Sequence, residues 1–242
     1  VLFRSKAGVT VASLVLEPLA SGLAVLTPEE RERGVLLVDI GGGTTDVVGF
    51  RRGRICYTGV IPVGGFQFTN DISLTFNTPY KAAEAAKLKY AGTDLQASSP
   101  HEEISLPVVG REAAVRVSRM DICQLTRERA HELARMVKLM LSDAHLGDPS
   151  NISLVLTGGA SNLPGLAALI QRTLAIPVRH GAPNVRGVIP EALRDPADAT
   201  GVGILVWVAT EYAPLRNGTE TNGNRTTEAA SRDGYLLGLL RR

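Results

Sequence analysis

The sequence predicts an α/β fold. Two observations carry this. Two apolar, β-branched runs each end in a glycine turn, "VDIGGGTTD" and "LTGGASN", more than a hundred residues apart. Both turns put bare backbone at the end of a central strand, where open α/β sheets bind ligands. Between and around them, short strand-like runs alternate with segments of helical apolar spacing, the longest over 119–146.

Along the chain, residues 9–26 read as a helix interrupted at Pro18, and "TPEERERG" as a polar turn. Three strands follow in a meander, 35–40, 44–50 and 54–61, with Gly53 of "RRGR" making the second turn. "GGFQFTNDISLTFN" predicts a helix led in by Gly64 and Gly65. The next helix, 79–91, has Pro79 in its first turn, where a missing N–H costs little. "ISLPVVGREAAVRV" alternates around "VGRE" and predicts a hairpin. Ser118 caps the long helix 119–146, whose Ile122, Leu125, Leu133, Met136, Val137 and Met140 fall largely at helical spacing. After "ISLVLTGGASNLPGL" come a helix over 164–174, a short strand near Val178 and a last helix over 198–211. The segment 214–233 has almost nothing to bury and predicts a flexible linker.

Composition narrows the function. With 26 lysines and arginines against 24 aspartates and glutamates, the net charge is +2, which argues against a nucleic-acid binder. Cys56 and Cys123 lie far apart with no C-x-x-C, so neither a disulfide framework nor a zinc site is suggested, and a reducing cytoplasm fits. No apolar run approaches the roughly 18 residues of a membrane span. The chain begins at Val1, and Val9 to Leu26 looks like a helix from inside a larger protein, so a fragment lacking its N-terminal part is expected.

The first glycine turn carries the chemistry. Asp39 interrupts a buried strand, and a carboxylate there is costly unless paired, hydrogen-bonded or facing a cation. Gly41, Gly42 and Gly43 leave no side chain between backbone and ligand. Successive N–H groups in such a turn form an anion-binding concavity, and Thr44 and Thr45 add hydroxyl donors. The turn joins two strands, unlike a Rossmann or P-loop turn. Two readings fit it: a phosphate clamp with Asp39 near a metal ion, or a glycine-rich hairpin with a capping aspartate. Glu84 and Lys87 in "EAAKLK" share a helix face. They suit ribose hydroxyls, or form a solvated ion pair. The pair Gly158–Gly159 suits the flat face of a purine. Glu17, in the apolar "LVLEPLASGLAVL", either orients a water at the phosphates or is an exposed carboxylate at a kink.

The ordered set "LEPLASGLAVL", "VDIGGGTTD", "EAAKLK" and "LTGGASNLPG" resembles the actin, Hsp70 and sugar-kinase ATPase superfamily. Within it, "NDISLTFNTPYKAAEAAKLKYAG" and "LVLTGGASNLPGLAALIQRTLAIPVRHGAP" are similar to the bacterial cell-division family FtsA, over roughly residues 7–212. The resemblance implies an actin-like (ribonuclease H-like) lobe with a mixed sheet flanked by helices and a smaller α+β subdomain inserted. It implies a division into the last helices of a first lobe (1–34), a second lobe (35–78 and 148–212), an inserted subdomain (79–147), a linker (213–233) and an amphipathic membrane-targeting segment (234–242).

By the same resemblance, ATP is the ligand and Asp39 lies near magnesium through water. Gly41 to Thr45 form the second phosphate loop, Glu84 and Lys87 hold the ribose, and Gly158, Gly159 and Ala160 border the adenine. Glu17 matches the residue associated with the hydrolytic water. The implied function is an ATP-binding scaffold with at most slow hydrolysis. It polymerises on the inner face of the cell membrane at the division site and binds the FtsZ C-terminal peptide. Lipid would be met through Tyr235–Arg242, where leucines and arginines suit an in-plane helix. The family's first phosphate loop is missing from this chain. The alternatives are a pilus-assembly adaptor of the same fold, or an enzyme of the Hsp70 or sugar-kinase type.

Overall fold

The computed structural model describes Gly8 and residues 14–96, 102–147, 151–185 and 189–212. Helices α1 (Glu17–Val25) and α2 (Pro28–Arg33) lead into the meander β1 (Val35–Ile40), β2 (Thr45–Arg51) and β3 (Arg54–Ile61). Helices α3 (Gly65–Thr75) and α4 (Tyr80–Tyr90) precede the hairpin β4 (Glu103–Pro107) and β5 (Ala114–Ser118). The long α5 (Arg119–Asp143) is followed by β6 (Ser153–Thr157), α6 (Leu166–Leu174), β7 (Val178–His180) and α7 (Ala199–Trp207). A π-helical turn, Val208–Tyr212, extends α7.

The main sheet has the order β3-β2-β1-β6-β7, and β4 and β5 form a separate pair. Strand β1 is antiparallel to β2 and parallel to β6, so the sheet is mixed, as expected. Asp39 stands opposite Asp46 on one side and Thr157 on the other. The two glycine turns therefore leave neighbouring strands at the same end of the sheet.

Alternation along β1 sorts the cores. All six of its residues are buried, because both faces of the sheet are covered. Leu36, Val38 and Ile40 join Leu133 and Val137 of α5 and Leu169 and Ile170 of α6. Val35 and Leu37 join Ala24 and Val25 of α1 and Val202 and Val206 of α7. By period two, Asp39 belongs to the α1–α7 side. Those helices touch at small residues, and a Cβ on Gly203 would lie 1.8 Å from the Ala20 carbonyl oxygen. A third cluster gathers Ile72, Ala83, Ala86, Ile104, Leu106 and Ile122 around the hairpin.

Several expectations are corrected. Pro18 does not interrupt a helix; it sits in the first turn of α1, which begins at Glu17. "TPEERERG" is not a turn but contains α2. Its Thr27 hydroxyl accepts from the Glu30 N–H at 3.2 Å, and the Glu30 carboxylate accepts from the Thr27 N–H at 2.9 Å. That reciprocal cap stabilises a helix with no buried face. Helix α5 ends at Asp143 rather than 146, because His145 and Gly147 turn to positive φ. The linker and terminal segment expected over 213–242 lie outside the described residues.

Candidate functional site

A cleft of about 730 Å³ opens at the end of the sheet where the glycine turns meet. Gly41, Gly42 and Gly43 form one wall, Glu84 and Lys87 of α4 a second, and Gly159 and Ala160 a third. Phe66 and Tyr80 stack at its rim, ring centroids 5.4 Å apart.

The first turn is braced from behind. The Gly41 N–H donates to the Thr44 carbonyl at 2.9 Å, which closes the loop. The Gly41 and Gly42 carbonyls accept from the Gly65 and Phe66 N–H groups at the start of α3, at 2.9 and 2.6 Å. Gly64 makes this docking feasible, since a Cβ there would lie 2.7 Å from the Gly41 oxygen. With its carbonyls engaged, the loop keeps the N–H groups of Gly42 and Gly43 without an acceptor among the described residues. Two free backbone donors beside a cleft form an anion-binding concavity.

The second turn interlocks with the first. Gly158 has φ +84°, and a Cβ there would lie 2.3 Å from Asp39 Oδ1 and 2.5 Å from the Ile40 carbonyl oxygen. The Gly158 N–H donates to the Pro196 carbonyl at 3.1 Å. Asn162, on the cleft wall, donates to Asp195 Oδ1 at 2.9 Å.

On α4, Lys87 Nζ lies 2.8 Å from Glu84 Oε2 and 3.2 Å from the Gly65 carbonyl oxygen. The Thr69 hydroxyl also donates to Glu84 Oε2. Burial works to raise the Glu84 carboxyl, but the hydrogen bonds from Lys87 and Thr69 and the lysine's charge hold it below the ordinary carboxylate range. It is an ionised acceptor at neutral pH, suited to hydroxyl donors.

Asp39 lies behind the loop, 4% exposed. Its Oδ2 accepts from the Ser21 hydroxyl at 2.5 Å and the Thr200 hydroxyl at 3.3 Å. Burial raises its carboxyl; the Ser21 and Thr200 bonds oppose that, and Asp46 adds repulsion. The Glu17 carboxyl is raised as well, by burial and then by Asp46 and Asp39. Repulsion from Asp46 thus adds to burial at both Glu17 and Asp39.

Of the expected site residues, the cleft brings together Gly41, Gly42, Gly43, Glu84, Lys87, Gly159 and Ala160. Gly158 and Asp39 sit immediately behind it. Thr45 is fully buried and gives its hydroxyl to the Val63 carbonyl at 2.7 Å, so it is spent inside the fold. Thr44 is exposed and donates to Asp46 Oδ2 at 3.2 Å. Glu17 is exposed and is not among the residues lining the cleft. Sequence reasoning missed Ser21, Thr69 and Thr200, whose roles arise from contacts between distant segments. Asp46 was legible as the second aspartate of "VDIGGGTTD".

Comparison with known proteins places the chain. The family model described as cell division protein FtsA matches residues 36–203. This chain belongs to the FtsA family. It is 39% identical over 203 residues to the cell division protein FtsA of Pseudomonas aeruginosa, covering 84% of this chain and 48% of that protein. It is 36% identical over 208 residues to that of Escherichia coli, covering 83% and 49%. For Bacillus subtilis FtsA the identity is 34% over 200 residues, covering 83% and 44%. The chain therefore spans about half the length of the curated relatives it matches. Among solved structures it resembles MreB5 of Spiroplasma citri bound to ADP, with a TM-score of 0.67, 17% identity, and 90% and 65% of the two chains covered. It also resembles the PilM–PilN type IV pilus biogenesis complex, with a TM-score of 0.59, 24% identity, and 82% and 53% covered. The fold is that of the actin-like ATPases.

Proposed function

We propose that this chain is the second nucleotide-binding lobe of an FtsA scaffold that holds ATP with magnesium between its glycine turns. One observation carries the reading. Free N–H donors at Gly42 and Gly43, an ionised Glu84 beside Lys87, and the bare backbone of Gly159 converge on one cleft. The three surfaces match, in order, a phosphate, a ribose and a base. The printed descriptions of the MreB5 and MamK structures, which are bound to ADP or AMPPNP, support a nucleotide as the ligand of this fold.

The residues fit magnesium in a limited way. Among the described residues no three His, Cys, Asp or Glu side chains are placed to cage a cation. Magnesium needs no such cage, since it takes one or two carboxylates together with phosphate oxygens and water. Asp39 and Asp46 face each other across β1 and β2. Burial is the main cause that raises Asp39 and Glu17, and a cation near them would offset the repulsion that adds to it. When bound, the ion neutralises phosphate charge. Asp39 would hold it through water, and Glu17 would orient the hydrolytic water.

In the whole protein, nucleotide acts as an assembly ligand, stabilising one conformation by differential affinity. The protein polymerises with copies of itself, binds the FtsZ C-terminal peptide, and lies on the inner face of the membrane at the division site. Residues 79–147 form the inserted subdomain. The segment Tyr235–Arg242 meets lipid through its leucines and arginines, weakly when single and strongly when filament neighbours bind together. Full-length protein tests both halves of the reading. ATP with magnesium is expected to bind and to increase the sedimentable polymer. Anionic vesicles are expected to pellet the protein only when residues 234–242 are present. No ATP binding refutes the cleft assignment, and equal pelleting without 234–242 refutes the anchor.

A further inference from the structure

Thr69 is a β-branched residue in the middle of α3 and is fully inaccessible. A buried hydroxyl needs a partner, and a helical threonine ordinarily gives its proton to the carbonyl one turn back. That carbonyl belongs to Gly65. It lies 3.1 Å from the hydroxyl and already accepts from Lys87 Nζ at 3.2 Å. The hydroxyl lies closer to Glu84 Oε2, on the neighbouring helix α4. It has one proton to give, and a charge-assisted bond to a carboxylate is roughly twice as strong as a neutral one. The proton therefore goes to Glu84.

Lys87 approaches the same carboxylate oxygen at 2.8 Å. Oε2 thus carries two donors, while Oε1 has no partner among the described residues. Lysine alone is a mobile point charge on a flexible stem and does not fix a carboxylate's orientation. A hydroxyl held by a buried helix does. The geometry points to Thr69 as a positioning residue. It locks the Glu84 carboxylate so that Oε1 offers its lone pairs to a ribose hydroxyl of a nucleotide in the cleft. Thr69 thereby selects for nucleotides carrying that hydroxyl, and it does so from a position the ligand never touches. The inference rests on the proposed nucleotide cleft, with Glu84 on the ribose.

The test is equilibrium binding of ATP and of 2′,3′-dideoxy-ATP to the full-length protein, unmodified and as Thr69→Val and Thr69→Ser. The unmodified protein is expected to prefer ATP. Thr69→Val is expected to weaken ATP about tenfold, the scale of one lost hydrogen bond to a charged group, and to leave dideoxy-ATP unchanged. Thr69→Ser, which keeps the hydroxyl, is expected to retain the preference. Should Thr69→Val fail to fold, Thr69→Ala makes the same comparison. Two results overturn the inference: a variant that keeps the full preference for ATP, or one that weakens both nucleotides alike. If the unmodified protein binds the two equally, the placement of Glu84 on the ribose falls first and takes Thr69 with it. If it discriminates and the variant discriminates as well, only the role of Thr69 falls.

Discussion

Replacing Gly42 by valine separates a phosphate loop from an ordinary hairpin. Gly42 is exposed, its φ lies outside the left-handed region, and a Cβ built on it meets nothing within 4 Å. The fold alone has room for the side chain, and an exposed change of this kind shifts stability by no more than about 0.5 kcal/mol. A bound anion has no such room, because the branched side chain stands beside the free N–H groups of Gly42 and Gly43. Each bond from such a donor to a charged oxygen is worth about 1.5–3 kcal/mol. Losing both removes about 3–6 kcal/mol, and at about 1.4 kcal/mol per tenfold ATP affinity falls by roughly 100-fold or more. Titration calorimetry on the full-length protein with magnesium reads the affinity, and thermal unfolding without nucleotide reads the fold. Gly64→Val is the contrasting control, since its Cβ would strike the Gly41 oxygen at 2.7 Å, and the fold itself is expected to suffer. A Gly42→Val protein that folds normally and binds ATP within about twofold of the original refutes the clamp.

Four further outcomes follow from the geometry. Glu84→Ala and Lys87→Ala are each expected to lower ATP affinity. The ion pair itself is worth under about 1 kcal/mol, since its Glu84 end is a third exposed, and Glu84→Ala also leaves the buried Thr69 hydroxyl only the Gly65 carbonyl as acceptor; calorimetry with parallel denaturation checks both. Burial works to raise the Glu30 carboxyl, but the bonds and charge of Arg179 and the Thr27 N–H hold it below its ordinary value. Its stabilising share is therefore full above the ordinary carboxylate range and lost as pH falls through the lowered value. Glu30→Gln is expected to cost about 1 kcal/mol at neutral pH and to flatten the acid side of a stability–pH curve. Gly203→Ala drives a methyl into the Ala20 carbonyl and is expected to cost about 1–3 kcal/mol or more in urea unfolding. Asp39 titrates above its ordinary value, so its ionised form weakens the free fold at neutral pH. Asp39→Asn is expected to raise the unfolding midpoint without ligand while abolishing the magnesium dependence of ATP binding; an unchanged magnesium dependence removes Asp39 from the ion.

The parts of the fold legible in the sequence were those in which one local signal decides. Val35 to Ile40 is apolar enough to declare a covered central strand, and its lone aspartate marks the end at which the cleft opens. Ser118 caps α5 where expected, accepting from the Met120 N–H at 3.1 Å. Helix α2 was missed because "PEERER" has no apolar face. Its signal was the threonine–glutamate spacing of a capping box, and its partner Arg179 lies 149 residues away. Spacing put the glycines at strand ends and Glu84 and Lys87 on one helix face, but it left their roles open; that they line one cleft is visible only in the fold. Ser21, Thr69 and Thr200 were not, since a serine or threonine in a helix looks the same whether it faces water or a buried carboxylate. Thr45 shows the converse. Its neighbours suggested a ligand hydroxyl, but strand alternation turns it inward to Val63.

Helix α5 runs through two of the three cores. Ile122 packs with the hairpin cluster, while Ala130, Leu133, Ala134 and Val137 pack beneath the main sheet. Its 25 residues make a rod about 37 Å long, and Arg129 ties its middle to Asp71 of α3 through two bonds, at 2.7 and 2.8 Å. The rod therefore fastens the hairpin and the floor of the main sheet to one element. Ala83 and Ala86 of α4, the helix that carries Glu84 and Lys87, pack in the same cluster as Ile122 and the hairpin. The α4 wall of the cleft and the hairpin thus share one close-packed core, and neither can shift without the other giving way.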